Sequence, residues 1–128
     1  MTYKKQQKVL CELKDTVSDF VSDLKYLFDK PCERGDLVTI EFFYKRLHAQ
    51  QVMNNVVEKM IPHVSYIKDK NLDFFKKNTS IFSSLPDDRV SYYKKEILGD
   101  RFHTDDINML WEYLDAIVAH AEVYLKTQ

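Results

Sequence analysis

From Val9 to Phe28 the apolar residues fall at intervals of three and four: Val9/Leu10, Leu13, Val17, Phe20/Val21, Leu24 and Leu27/Phe28. That spacing keeps them on one face of an α-helix and does not fit a strand, whose faces alternate every second residue. Lys14, Asp15, Ser18, Asp19, Ser22, Asp23 and Lys25 fill the other side. The predicted helix covers about 3–28 and is roughly 39 Å long at 1.5 Å per residue. A compact domain of 128 residues has a radius of gyration of roughly 14 Å, so its diameter is close to that length. Such a helix either spans its domain or projects to pair with a second copy.

The remainder reads as helix too, because two glycines and three prolines in the whole chain leave few places to break one. Asp29 to Asp36, with Pro31 and Gly35, is expected to be the turn that ends the first helix. A second helical region is predicted over 39–60, with one stripe at Ile40, Phe43/Tyr44 and Leu47 and another at Val52, Val56/Val57 and Met60/Ile61. The stripes do not join smoothly across His48-Ala49-Gln50-Gln51, which fits either a bend or one long helix that changes face. Pro62 either stops this run or opens the next helix. Short helices are expected over 62–85, the last around 79–85, since nothing there alternates with period two. Pro86-Asp87-Asp88 marks a helix start, and Gly99 suits the left-handed position that closes that helix. The last helix has Thr104 as its cap and Asp105-Asp106 in its first turn. Its wide stripe is Ile107, Leu110/Trp111, Leu114, Ile117/Val118, Ala121 and Tyr124/Leu125. The fold class is therefore all-α: a compact bundle of four to six helices, with a long first and a long last helix, forming a single domain over 1–128.

Charge and composition exclude several classes. Nineteen basic residues against twenty acidic ones give a net charge of −1, with no electrostatic footprint for nucleic acid or an anionic membrane. No signal peptide is expected, because the first apolar stretch is broken at Glu12 and Lys14. No run of eighteen apolar residues offers a membrane span. Cys11 and Cys32 match no metal or redox spacing and are expected to be thiols in a reducing, intracellular compartment. Cys11, beside the stripe of the first helix, reads as a small core residue, and Cys32 as an exposed turn residue.

Chemistry is hard to find. His48, His63, His103 and His120 lack the short-spaced partners of a metal site. With only Gly35 and Gly99, no phosphate-binding loop, dinucleotide fingerprint or nucleophile elbow can be built. Asp15, Asp19 and Asp23 read as a solvated face, while Asp87-Asp88 and Asp105-Asp106 read as first-turn residues. No cofactor, metal or enzymatic activity is expected. Lys68, Lys70, Lys76 and Lys77 around Phe74-Phe75, and Lys94 and Lys95 after Tyr92-Tyr93, give an alternative reading as a nucleic-acid-binding accessory protein. Asp69, Asp73, Glu96 and Asp100 interrupt both clusters.

The aromatic content stands out: eight Tyr, eight Phe and one Trp, or 13%. Phe42-Phe43, Phe74-Phe75 and Tyr92-Tyr93 are adjacent pairs, and adjacent helical residues cannot share the centre of one face, so one ring of each pair is expected at a boundary. This favours a protein–protein interaction role, with another protein or with itself as a homodimer. The contact candidates are Val17, Phe20 and Leu24 on the first helix and Trp111 and Tyr124 on the last.

Ile67-x-x-x-Asn71-x-x-Phe74-Phe75, Ile81-Phe82-x-x-Leu85, Asp106-Ile107-x-x-Leu110-Trp111-x-Tyr113-Leu114 and Ala119-x-Ala121-x-x-Tyr124 together cover about 62–125. This half resembles small helical proteins of nucleocytoplasmic large DNA viruses of protists, algae and fish. The resemblance carries no catalytic motif. It implies a structural or accessory component of the virion or the viral factory, in host cytoplasm or virion, with Asn71 and Trp111 as packing landmarks.

Overall fold

The computed structural model describes residues 2–78 and 80–128, and these form an all-α bundle with no strands among them. Its elements are α1 (Thr2–Leu27), α2 (Pro31–Arg46), α3 (Ala49–Lys59), α4 (Val64–Lys68), α5 (Phe74–Lys77), α6 (Asp87–Leu98) and α7 (Thr104–Lys126). Short 3-10 turns occupy Ile61–His63 and Ser80–Phe82. The predicted helix around 79–85 is reduced to the second of these, and Thr79 lies outside the described residues.

The long first helix spans the domain and packs against α7, α2 and α3. It runs antiparallel to α7. Gln6 Nε2 donates to the Thr127 carbonyl at one end (3.2 Å), and the Tyr113 hydroxyl donates to Asp23 at the other. Between them, Thr16 Oγ1 lies 3.2 Å from His120 Nε2. Since the Thr16 hydroxyl already donates to the Glu12 carbonyl (2.9 Å), the histidine nitrogen is the donor in that pair. The predicted stripe is buried from Val9 to Phe28 except at Leu27, which is half-buried, and Leu13 and Phe28 are wholly inaccessible. Each such side chain contributes about 1.5–3 kcal/mol on leaving water. Phe28 is the hub of an aromatic cluster, met edge-on by Tyr93 at 4.9 Å and Phe102 at 5.1 Å. Trp111 of α7 packs on Phe75 at 5.3 Å and Phe74 at 6.5 Å.

Several expectations are corrected. Pro31 does not end a helix: it begins α2, where its missing N–H is no loss, and Gly35 lies inside that helix. The connection from α1 is consequently short. Of the two readings of 39–60, the break is the one observed, with Leu47 and His48 extended between α2 and α3. Pro62 sits inside the 3-10 turn that leads directly into α4. Cys11 is exposed, not core, because it belongs to the four-spaced solvent row Gln7–Cys11–Asp15–Asp19. Cys32 is exposed as expected, but in the first turn of α2. Asp23 is only half-exposed and accepts the Tyr113 hydroxyl. Both rings of Phe74-Phe75 are buried, since α5 is a single turn whose rings both reach Trp111.

Three helix ends also depart from expectation. Gly99 is extended (φ −88°, ψ −160°), not left-handed, and glycine eases a tight approach there, since a Cβ would lie 3.0 Å from the Lys95 carbonyl oxygen. Thr104 is the first helical residue of α7, and His103 occupies the cap position, its N–H donating to Asp106 Oδ2 at 3.3 Å. The left-handed position falls instead to Lys70 (φ 52°), after α4. There the Asn71 N–H donates to the Tyr66 carbonyl (2.9 Å) and the Lys70 N–H to that of Ile67 (3.0 Å). This is the paired closure that usually recruits glycine.

Candidate functional site

Helix α2 decides what the surface of this bundle can do. Its residues form four rows of spacing four. Two rows face inward, Glu33–Leu37–Glu41 and Asp36–Ile40–Tyr44, and in them Glu33, Leu37, Ile40 and Tyr44 are buried. Two face outward, Arg34–Val38–Phe42–Arg46 and Gly35–Thr39–Phe43.

Each inward row begins with a carboxylate bound by an arginine from the other end of the chain. Glu33 is 0% exposed. Its Oε1 accepts from Arg101 Nη2 (2.8 Å) and the Lys30 N–H (3.1 Å), and its Oε2 from Arg101 Nη1 and the Tyr92 hydroxyl (2.5 Å each). Burial alone pushes this carboxyl up. The hydrogen bonds from Arg101, Tyr92 and Lys30 overcome that effect and hold it at about 2. Asp36 Oδ2 accepts from Arg89 Nε (2.9 Å) and Nη2 (2.7 Å) and from the Tyr93 hydroxyl (2.7 Å). Burial and the neighbouring carboxylate push the Tyr93 phenol far above its usual range. The Tyr92 phenol is raised likewise, chiefly by its hydrogen bond to Glu33. The Arg101 guanidinium also lies over the rings of Phe102 (5.2 Å) and Phe28 (5.4 Å). This cluster is a clamp, because four donors saturate the Glu33 carboxylate and leave it no free site for acid–base work. It pins the N-terminal half of α2 to α6 and to the segment before α7.

The centre of this outward face is apolar where water would favour polar side chains. Val38 is 45% exposed, Phe42 65% and Phe43 38%, and Tyr26 of α1 beside them is 83% exposed. Two open grooves flank the Val38 ridge. One, of about 620 Å³, is lined by Ser22, Lys25, Tyr26, Asp29, Arg34 and Val38. The other, of about 530 Å³, is lined by Val38, Thr39, Phe42, Phe43, Arg46 and Leu47, together with Ser84. Among the described residues the buried Ser84 hydroxyl has no hydrogen-bond partner.

The contact candidates taken from the sequence lie elsewhere. Val17, Phe20, Leu24, Trp111 and Tyr124 are all buried in the chain's own core. Phe20 stacks on Tyr113 (5.1 Å), and the Tyr124 hydroxyl accepts from Gln50 Nε2 (3.1 Å). Their spacing identified a stripe but not which surface covers it, and in each case that surface is intramolecular. Among the described residues, the aromatic rings at the two lysine clusters are largely turned into the core. Phe74, Phe75 and Tyr93 are buried and Tyr92 is half-buried on Glu33, while Lys76 pairs with Asp73 (3.2 Å) and Lys68 with Glu122 (3.4 Å).

Among the described residues no three His, Cys, Asp or Glu side chains converge as a metal site requires. His48, His63, His103 and His120 are dispersed over the cap of α3, the first 3-10 turn, the cap of α7 and its C-terminal half. The interior holds an apolar cavity of about 40 Å³ beside Phe20, Val56, Phe75 and Leu114. That is room for a few waters and well below the roughly 150 Å³ that admits a benzene ring. No described helix is long and apolar enough to cross a membrane.

Protein-family models, curated proteins and solved structures offer no match to this chain.

Proposed function

We propose that this chain is a non-enzymatic protein–protein interaction module whose contact surface is the outer face of α2, extended by Tyr26 of α1. The observation that carries the reading is the exposed Val38–Phe42 row on a helix whose opposite face is clamped by the Glu33–Arg101 and Asp36–Arg89 ion pairs. Tyr26, Val38, Phe42 and Phe43 together leave on the order of 400 Å² of largely apolar surface in water, the size at which a patch on a monomer is often functional. A standard interface takes about 800 Å² from each partner, so the patch would be the apolar centre of a contact with a polar rim. The clamp supports the role by holding the ridge rigid, which lowers the cost of ordering it on binding. The resemblance of residues 62–125 to viral helical proteins implies a virion or viral-factory component as the setting. The nucleic-acid alternative has less behind it, since the aromatic residues it needs are in the core.

The test is site-specific photo-crosslinking in the cell that makes the protein, with a photoreactive phenylalanine analogue at position 42 or, as control, at position 115 on the exposed side of α7. A discrete protein adduct from position 42 and none from 115 is expected. Adducts at 115 with none at 42 would place the contact elsewhere and overturn the reading.

A further inference from the structure

On the reading that the outer face of α2 is a docking surface, we infer that its occupant is an acidic amphipathic helix of a different protein, and not a second copy of this chain. Arg34, Val38, Phe42 and Arg46 form a single ridge of spacing four, apolar at the centre and cationic at both ends. Ridges of that spacing are the ones that seat in the grooves of a crossing helix. Across twelve residues the Cα atoms of the two arginines stand about 18 Å apart along the axis.

The charges near the ridge are unevenly satisfied. Glu41 is held by Lys25 (2.6 Å) and Lys45 (3.8 Å), Asp36 by Arg89 (2.7 Å), and Asp29 lies 3.6 Å from Arg101. Among the described residues Arg34 and Arg46 form no ion pair, and both are exposed. The inner face of α2 shows what such an arrangement accepts. There, the carboxylates that open the two inward rows, Glu33 and Asp36, meet arginines of the segments packed on them, and an apolar residue follows each. The outer row puts the arginines on α2 itself, one at each end of Val38 and Phe42, so its complement carries carboxylates outside an apolar centre.

A second copy fits poorly. An antiparallel self-pairing centred between Val38 and Phe42 sets Arg34 against the partner's Arg46, and one centred on Val38 sets Arg46 against the partner's Lys30. Both juxtapose like charges, which interfaces avoid. Gly35 adds an independent sign of close approach. It sits inside the exposed face of α2, and a Cβ built there meets nothing within 4 Å. Neither its own backbone angle, which is not positive, nor its neighbours require glycine. A helix crossing at Gly35 can come nearer than one held off by a side chain.

The probe is a fluorescein-labelled helical peptide of about 18 residues with leucines at spacing four and glutamates flanking them. A sister peptide carries lysine at every glutamate position. Both are titrated against the full chain by fluorescence anisotropy. The glutamate peptide is expected to bind at least ten-fold more tightly than the lysine peptide at low salt, the gap narrowing at high salt. Phe42→Ala should weaken the glutamate peptide about ten-fold or more, and the double variant Arg34→Glu/Arg46→Glu should reverse the preference. Circular dichroism confirms that each variant is folded. Equal binding of the two peptides, both weakened by Phe42→Ala, would overturn the acidic partner while leaving the docking face. Binding indifferent to Phe42→Ala would remove the face itself. A solution mass twice that of the chain, lost on Phe42→Ala, would make the occupant a second copy and overturn the inference. So would a short single-stranded oligonucleotide that displaces the glutamate peptide from the chain.

Discussion

Replacing Arg101 with methionine keeps much of the packing against Phe28 and Phe102 but removes two of the four hydrogen bonds to Glu33 and its counter-charge. The carboxylate left behind is wholly buried, with only the Tyr92 hydroxyl and the Lys30 N–H as donors. Breaking one side of a buried pair in this way typically costs about 3–5 kcal/mol. The depressed Glu33 carboxyl points to a similar size: holding it at about 2 instead of 4.5 corresponds to about 3 kcal/mol of folded-state stabilisation. Because that value is depressed, the contribution is fully present above pH 4.5 and is lost as the pH falls from there toward 2. Urea unfolding followed by the fluorescence of Trp111, the single tryptophan and a buried one, measures both effects. Arg101→Met should lose about 3 kcal/mol or more at pH 7, a large part of the roughly 5–15 kcal/mol of an ordinary domain. Adding Glu33→Gln removes the stranded charge and should recover at least half of that loss. The double variant should also lose the share of the acid-dependent slope between pH 4.5 and 2 that Glu33 supplies, keeping that of Glu41, which Lys25 holds low. A loss below about 1 kcal/mol for Arg101→Met, or a double variant as unstable as the two single changes added together, would refute the clamp.

Further expectations can be checked by the same unfolding measurements. Gly35→Ala should stabilise the isolated chain by about 1 kcal/mol, since it removes a glycine from a helix interior where nothing obstructs a Cβ. The same variant should weaken the acidic peptide, which separates the two effects. Lys70→Gly should stabilise by up to about 1 kcal/mol by relieving a left-handed lysine. Phe28→Ala should cost about 3–5 kcal/mol, because the ring is inaccessible to water and is met edge-on by Tyr93 and Phe102. Phe42→Ser should leave stability within about 0.5 kcal/mol, as its ring is mostly in water.

The long helices were legible because their apolar spacing persists over five or more turns, and tertiary packing only had to cover a stripe already present. α1 and α7 were therefore placed to within a residue or two. The N-terminal half of α2 was not legible, for a physical reason. Proline is compatible both with stopping a helix and with its first position, and the sequence around Pro31 and Gly35 satisfies both. A turn over 29–36 contains no ridge starting at Arg34, and within it Glu33 and Asp36 are indistinguishable from ordinary turn residues. Their partners Arg101 and Arg89 lie 68 and 53 positions away, a separation no local pattern encodes. The choice of Val17, Phe20, Leu24, Trp111 and Tyr124 as contacts shows the complementary limit. An apolar stripe states that something covers it, and only the packing of the other helices states what. Lys70 shows a third, because nothing about a lysine signals a left-handed residue.

The most direct test of the account is a map of backbone amide shifts in the isotope-labelled chain as the glutamate peptide is added. Perturbations are expected along α2 at Arg34, Gly35, Val38, Phe42, Phe43 and Arg46, with Tyr26 beside them and α7 largely unmoved. Perturbations centred on the exposed side of α7, or around Lys76, Lys77 and Lys94, with α2 unchanged, would contradict it.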